Sequence, residues 1–95
     1  MKYVLHAYDH IDSEAYERRM QARPAHFERA RKLKADGNFI LGGALLDPAG
    51  TMIGSMMLVD FETEDQLHEW LESDPYVTGK VWNTLDVKPF RQADI

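Results

Sequence analysis

Residues 2 to 8, Lys-Tyr-Val-Leu-His-Ala-Tyr, are rich in β-formers and short enough for a strand that closes at Asp9-His10. Polar positions then dominate, with apolar ones returning at helical spacing. Asp12 or Ser13 is placed to cap a short helix through about Ala22. Pro24 lacks an N–H and crowds the Met20 carbonyl. The pattern therefore predicts a break or kink there and a second helix from Pro24 to Asp36, stopped by Gly37 as its capping glycine. Asn38 to Leu46 reads as a strand interrupted by Gly42-Gly43, Asp47-Pro48-Ala49-Gly50 as a turn, and Met52 to Phe61 as an antiparallel return strand. Thr63-Glu64-Asp65-Gln66 forms a capping box before a helix whose apolar face is Leu67, Trp70 and Leu71. Ser73-Asp74-Pro75-Tyr76 ends that helix and begins an extra turn, and a last strand runs from about Val81 to Phe90.

The order β-α-β-β-α-β is the split arrangement of ferredoxin-like α+β folds: one four-stranded antiparallel sheet with the helices on one face. Met56 and Leu58 of the third strand point one way while Met57, Val59 and Phe61 point the other. Alternation places Val81, Leu85 and Val87 on one side of the last strand and Trp82 on the other. A sheet apolar on both faces would expose a larger patch than a monomer tolerates, so the expectation is a homodimer closing face to face into a dimeric α+β barrel.

Size agrees with that. The chain has 95 residues, enough for one domain over 1 to 95 whose own core is modest. A net charge of -5 without a Lys/Arg stripe argues against nucleic acid as a partner. Absence of cysteine removes disulfides, thiolate nucleophiles and thiolate metal sites. No apolar run reaches a membrane span and no signal-peptide core is visible, which together predict no membrane partner and a cytoplasmic location. Neither a cofactor nor a metal is expected: His6 and His10 lie about 13 Å apart on an extended strand, and Gly42-Gly43 lacks the Lys-Ser/Thr sequel of a phosphate loop.

The candidate chemistry gathers at one end of this topology, where Asp9, His10, His26, Ser55 and Asp74 all fall. His26 opens the predicted second helix, near unpaired N–H groups and the positive end of its dipole. Asp36 closes that helix about 15 Å away, which leaves Asp74 as the carboxylate best placed to orient His26 and Asp9 as the second choice. A histidine held by a carboxylate is a minimal general base. Ser55 is a candidate donor to a substrate oxygen, and Arg19 and Arg23 are candidates to hold a carboxylate or phosphate. Each has an ordinary structural alternative: a helix-start histidine, an Asp-Pro cap, a surface ion pair, strand filler and a strand-end turn former.

Taken together, Tyr3-Val4, Ala7 and Asp9, then Arg19, Arg23-Pro24-Ala25-His26, Asp36-Gly37, Gly54-Ser55, Asp74-Pro75-Tyr76 and Val87-Lys88-Pro89-Phe90 give a pattern spanning nearly the whole chain. It resembles the YciI-like (YCII-related) family of small bacterial proteins. The resemblance implies a ferredoxin-like α+β barrel dimer and a His-Asp site, carried here onto His26 and Asp74. The hairpin Leu45 to Ile53 is shorter than in many relatives, and Ala44 stands where proline is common.

The expected function is cofactor-free proton transfer, of lyase, dehydrochlorinase or isomerase type, on a small anionic molecule. His26 would be the base and Asp74 its orienter; Ser55, Arg23, Arg19 and Asp9 would serve binding, with Tyr8 or Trp82 as an apolar wall. The alternative is a non-catalytic, small-ligand-binding dimeric accessory module.

Overall fold

Alternation along β1 (Lys2–Asp9) sets the layering: Tyr3, Leu5, Ala7 and Asp9 are buried, while His6 and Tyr8 face outward. The remaining elements of the computed structural model, which describes residues 1–95, are α1 (Ala15–Ala35), β2 (Phe39–Leu46), β3 (Met52–Asp60), α2 (Glu64–Glu72), α3 (Pro75–Thr78) and β4 (Trp82–Phe90). All strand pairs are antiparallel and the sheet order is β2-β3-β1-β4, the ferredoxin-like arrangement. Beneath the helices, Tyr3, Leu5, Met57 and Val59 meet Leu33, Leu67, Leu71 and Tyr76 in one core. No helix is long and apolar enough to cross a membrane.

The predicted break at Pro24 does not occur: α1 runs unbroken with Pro24 inside it. An interior proline removes one helical hydrogen bond and costs about 3 kcal/mol in an isolated helix. Burial along the whole length offsets that cost, because Ala15, Arg19, His26 and Leu33 recur at close to the helical period and all reach the interior. Two of these four buried residues are polar, so the face that anchors the helix also delivers its chemistry. Neither Asp12 nor Ser13 caps it. The N-cap is Glu14, without a side-chain bond, while Asp12 accepts from the Glu14 N–H and from Arg18 at 2.7 and 3.0 Å, bonds that hold its carboxyl well below the usual range. At the other end Gly37 takes a φ of +83°, and the N–H groups of Gly37 and Asn38 return to Lys34 and Leu33, which is how the helix stops.

The last strand also departs from simple alternation. Tyr8 pairs with Thr84 but Asp9 pairs with Trp82, so Asn83 is skipped and Trp82 swings to the helix side, the face that also carries Leu85 and Val87. In β2 the register shifts flank the glycine pair, between Phe39 and Leu41 and between Leu45 and Leu46. On β3, a Cβ at Gly54 would collide with the Ala7 carbonyl oxygen, so only glycine lets β1 approach beside Ser55. The face away from the helices exposes Tyr8, Leu41 and Phe90 around Leu58 and Met56.

Candidate functional site

Asp74 is a fully buried carboxylate, and the chain around it is arranged to bond it. It is the N-cap of α3, with Pro75 at the first helical position and the Tyr76 N–H donating to Oδ1 at 2.8 Å. From α1, His26 Nδ1 lies 2.9 Å from Oδ1 and 3.1 Å from Oδ2. A carboxylate only accepts, so Nδ1 carries the hydrogen and, in the neutral ring, Nε2 is left with its lone pair. No protein group bonds Nε2. Because α1 starts at Ala15, His26 is mid-helix rather than in a first turn, and the dipole contribution expected there is absent. Its environment comes from Asp74 and from aromatic rings: Tyr76 stacks on the imidazole at 3.8 Å between centroids, and Trp82 meets it edge-on at 6.1 Å.

A second buried cluster adjoins the first. Arg19 Nη1 donates to both oxygens of Asp9 at 3.0 Å, and Arg19 Nη2 donates to Ser55 Oγ at 3.0 Å. Trp82 Nε1 donates to the same Oγ at 3.1 Å. Ser55 thus accepts twice, its lone pairs are occupied, and its own O–H is left to donate. Burial raises the Asp9 carboxyl above its usual range, opposed by the bond and charge of Arg19. Asp9 is therefore the partner of Arg19 and not of His26. The Arg19 fork is likewise spent inside the protein, leaving only Nε without a partner.

His26, Ser55, Arg19 and Tyr76 line one side of a cavity of about 330 Å³ between α1 and the β2–β3 edge of the sheet. Phe27, Phe39 and Met57 supply apolar surface, and Gly42-Gly43-Ala44 forms the opposite wall. A Cβ at Gly42 would come within 2.9 Å of the Met56 carbonyl oxygen and 3.0 Å of the Phe39 ring. Arg23 lies on the cavity wall with its guanidinium 4.2 Å from the Phe27 centroid. Tyr8 does not reach this cavity. It sits on the far face of the sheet, half exposed, because alternation sends it away from Ala7 and Asp9. Trp82 is an inner support that bonds Ser55 and is not among the lining residues.

Two residues escaped the sequence reading. Tyr76 is buried with an unpartnered hydroxyl, and burial raises its phenol above 10.0 against the charges of Arg19 and Arg23. Arg29 donates to Ser73 Oγ at 2.8 Å and the Trp70 carbonyl at 3.2 Å, with Nη1 3.8 Å from Asp74 Oδ2. Its position three residues after His26 was the available signal, since that spacing shares a helix face. No group of three or more His, Asp or Glu side chains converges to hold a metal ion.

The YCII-related domain matches residues 1–91. Protein YciI of Escherichia coli O6:H1 is 35% identical over 97% of this chain and 98% of its own length. A protein of Emericella nidulans, derivative of benzaldehyde biosynthesis cluster protein C, is 32% identical over 81% of this chain and 87% of its own. Among solved structures, 5-chloro-2-hydroxyhydroquinone dehydrochlorinase from Burkholderia phenoliruptrix AC1100, in complex with 2,5-dihydroxybenzoquinone, superposes with a TM-score of 0.85 at 24% identity, covering 98% of this chain and 96% of that one.

Proposed function

The chain belongs to the YCII-related domain family, and from that membership we propose that it is a cofactor-free enzyme that moves a proton on a small anionic molecule, in an elimination or isomerisation. The observation that carries the reading is the bond from His26 Nδ1 to Asp74, which leaves Nε2 as the basic atom at the cavity wall. Asp74 fixes the tautomer and stabilises the imidazolium that forms when Nε2 takes a proton. The Ser55 hydroxyl donates to the substrate oxygen on which charge develops, and Arg23 adds positive charge. Arg19, Asp9 and Trp82 hold Ser55 in its donor state. A dehydrochlorinase on the same fold supports chemistry of this class for the cavity.

We also propose that the apolar face carrying Leu41, Leu58 and Phe90 pairs with its copy in a second chain to close a homodimeric barrel.

The test is a panel of chlorinated hydroxyquinols and enolisable hydroxyaromatic carboxylates in heavy water, followed by NMR for chloride loss or deuterium uptake. Wild-type protein turns over at least one of them. His26→Gln, which keeps a donor for Asp74 but has no basic nitrogen, and His26→Ala both lose about 10²- to 10⁴-fold in rate. Full rates in both variants would overturn the reading. Binding without any consumption would favour the accessory module instead.

A further inference from the structure

We propose that the cavity binds a two-ended ligand, whose hydrogen-bond acceptor sits at Ser55 and whose carboxylate or similar anionic group is held at the far end by Arg31 and Lys34. This rests on the proposed function only in taking the same cavity as the ligand site; it makes no use of the proton transfer.

The carriers are the cations of α1. Arg23, Phe27, Arg31 and Lys34 follow one another along the cavity wall at helical spacing, and the cavity lining includes no Asp or Glu. None of Arg23, Arg31 or Lys34 enters an ion pair, although the chain has a net charge of -5 and sixteen carboxylate side chains. Unpaired cations gathered on one wall of a concavity, in an acidic protein, focus positive potential into it. Phe27 organises them, with Arg23 Cζ at 4.2 Å and Arg31 Cζ at 6.0 Å from its ring centroid.

Arg19 brings no uncompensated charge to a ligand anion, because its guanidinium is already paired in the interior with the Asp9 carboxylate. The polar ends of the site therefore lie apart along the helix. From His26 to Arg31 and Lys34 the axis advances about 7.5 to 12 Å, and Phe27, Phe39 and Met57 supply the apolar lining of the same cavity. That sequence of surfaces matches an acceptor oxygen, a flat apolar body and an anion. A single compact anion would leave one end unused.

Isothermal titration calorimetry with para-hydroxycinnamate, and with para-vinylphenol as the same molecule without its carboxylate, tests this. Wild-type protein should bind the carboxylate at least about tenfold more tightly at low ionic strength, an advantage that shrinks as salt approaches about 0.5 M. In Arg31→Glu/Lys34→Glu the ratio should fall to about one or below, while affinity for para-vinylphenol stays within about twofold and the thermal midpoint drops by no more than about 8 °C, because Lys34 lies in the last turn of α1. Both residues are exposed, so the double variant is expected to fold. A ratio that survives in the double variant, no preference in wild type, or no binding of para-hydroxycinnamate at about 5 mM would each overturn the subsite. Binding by His26→Gln separates the two readings: a carboxylate preference kept there supports the subsite even if turnover never depended on His26, and one lost there while Arg31→Glu/Lys34→Glu keeps it overturns the subsite alone.

Discussion

The two halves of the cavity are built on opposite principles. In the inner half the charged groups are paired inside the protein: Asp74 with His26 and the Tyr76 N–H, Asp9 with Arg19, and Ser55 accepts from Arg19 and Trp82. In the outer half, neither Arg31 nor Lys34 enters an ion pair, and Arg31 lies near the Phe27 ring. The inner half therefore exchanges stability for a fixed geometry, since a buried network is costly to break and cannot readily adapt. The outer half can change without disturbing the fold. Preorganised chemistry and adjustable recognition share one helix, separated by little more than two turns.

The largest effect should follow from removing the base: His26→Gln is expected to reduce the rate by about 10²- to 10⁴-fold with the fold intact, as read by turnover and circular dichroism. Next comes the buried ion pair. Asp9→Ala strands the Arg19 guanidinium in the interior and should cost about 3 to 5 kcal/mol, seen in urea unfolding as a lower midpoint. Loss of activity should accompany it, because Ser55 loses its anchor. A surface-like cost below about 1 kcal/mol would mean the inner half is looser than described.

Tyr76→Phe sharpens the contrast differently. It deletes a buried hydroxyl without a partner and leaves the stack on His26, so stability at neutral pH should be unchanged or higher by about 1 kcal/mol. The folded phenol titrates above 10.0, so the folded state binds more protons than the unfolded state over the interval above that value. Stability then falls as pH rises through it, and Tyr76→Phe should flatten that alkaline loss in thermal melts. The smallest effect belongs to the outer half: Arg31→Ala/Lys34→Ala should shift unfolding by no more than about 0.5 kcal/mol while weakening affinity for an anionic probe.

Much of this was legible in the residues. Strand alternation, the capping box at Thr63 and the turn at Asp47 gave the element order, because each is decided by a few adjacent side chains. Topology then placed Asp9, Ser55 and Asp74 at one end of the sheet. What the chain concealed was settled by packing between distant segments. Pro24 looked like a terminus because its local cost is plain, whereas the stripe from Ala15 to Leu33 that outweighs it is visible only against the sheet. Trp82 changed faces through one skipped residue at the β1–β4 pairing, which strict alternation does not foresee. Arg19 read as a substrate clamp because a sequence shows a cation's charge but not the carboxylate and hydroxyl that occupy it. Tyr8 failed as a wall for the opposite reason: alternation alone would have sent it to the far face.

The claim beneath all of this is that Asp74 holds the imidazole of His26 with its hydrogen on Nδ1 and its basic nitrogen free. Nitrogen-resolved NMR of the histidine rings, taken at a pH where His26 is neutral, reports that arrangement without any substrate. Nδ1 should be protonated with a slowly exchanging hydrogen, lost on Asp74→Ala, and Nε2 unprotonated. A neutral ring carrying its hydrogen on Nε2 would contradict it.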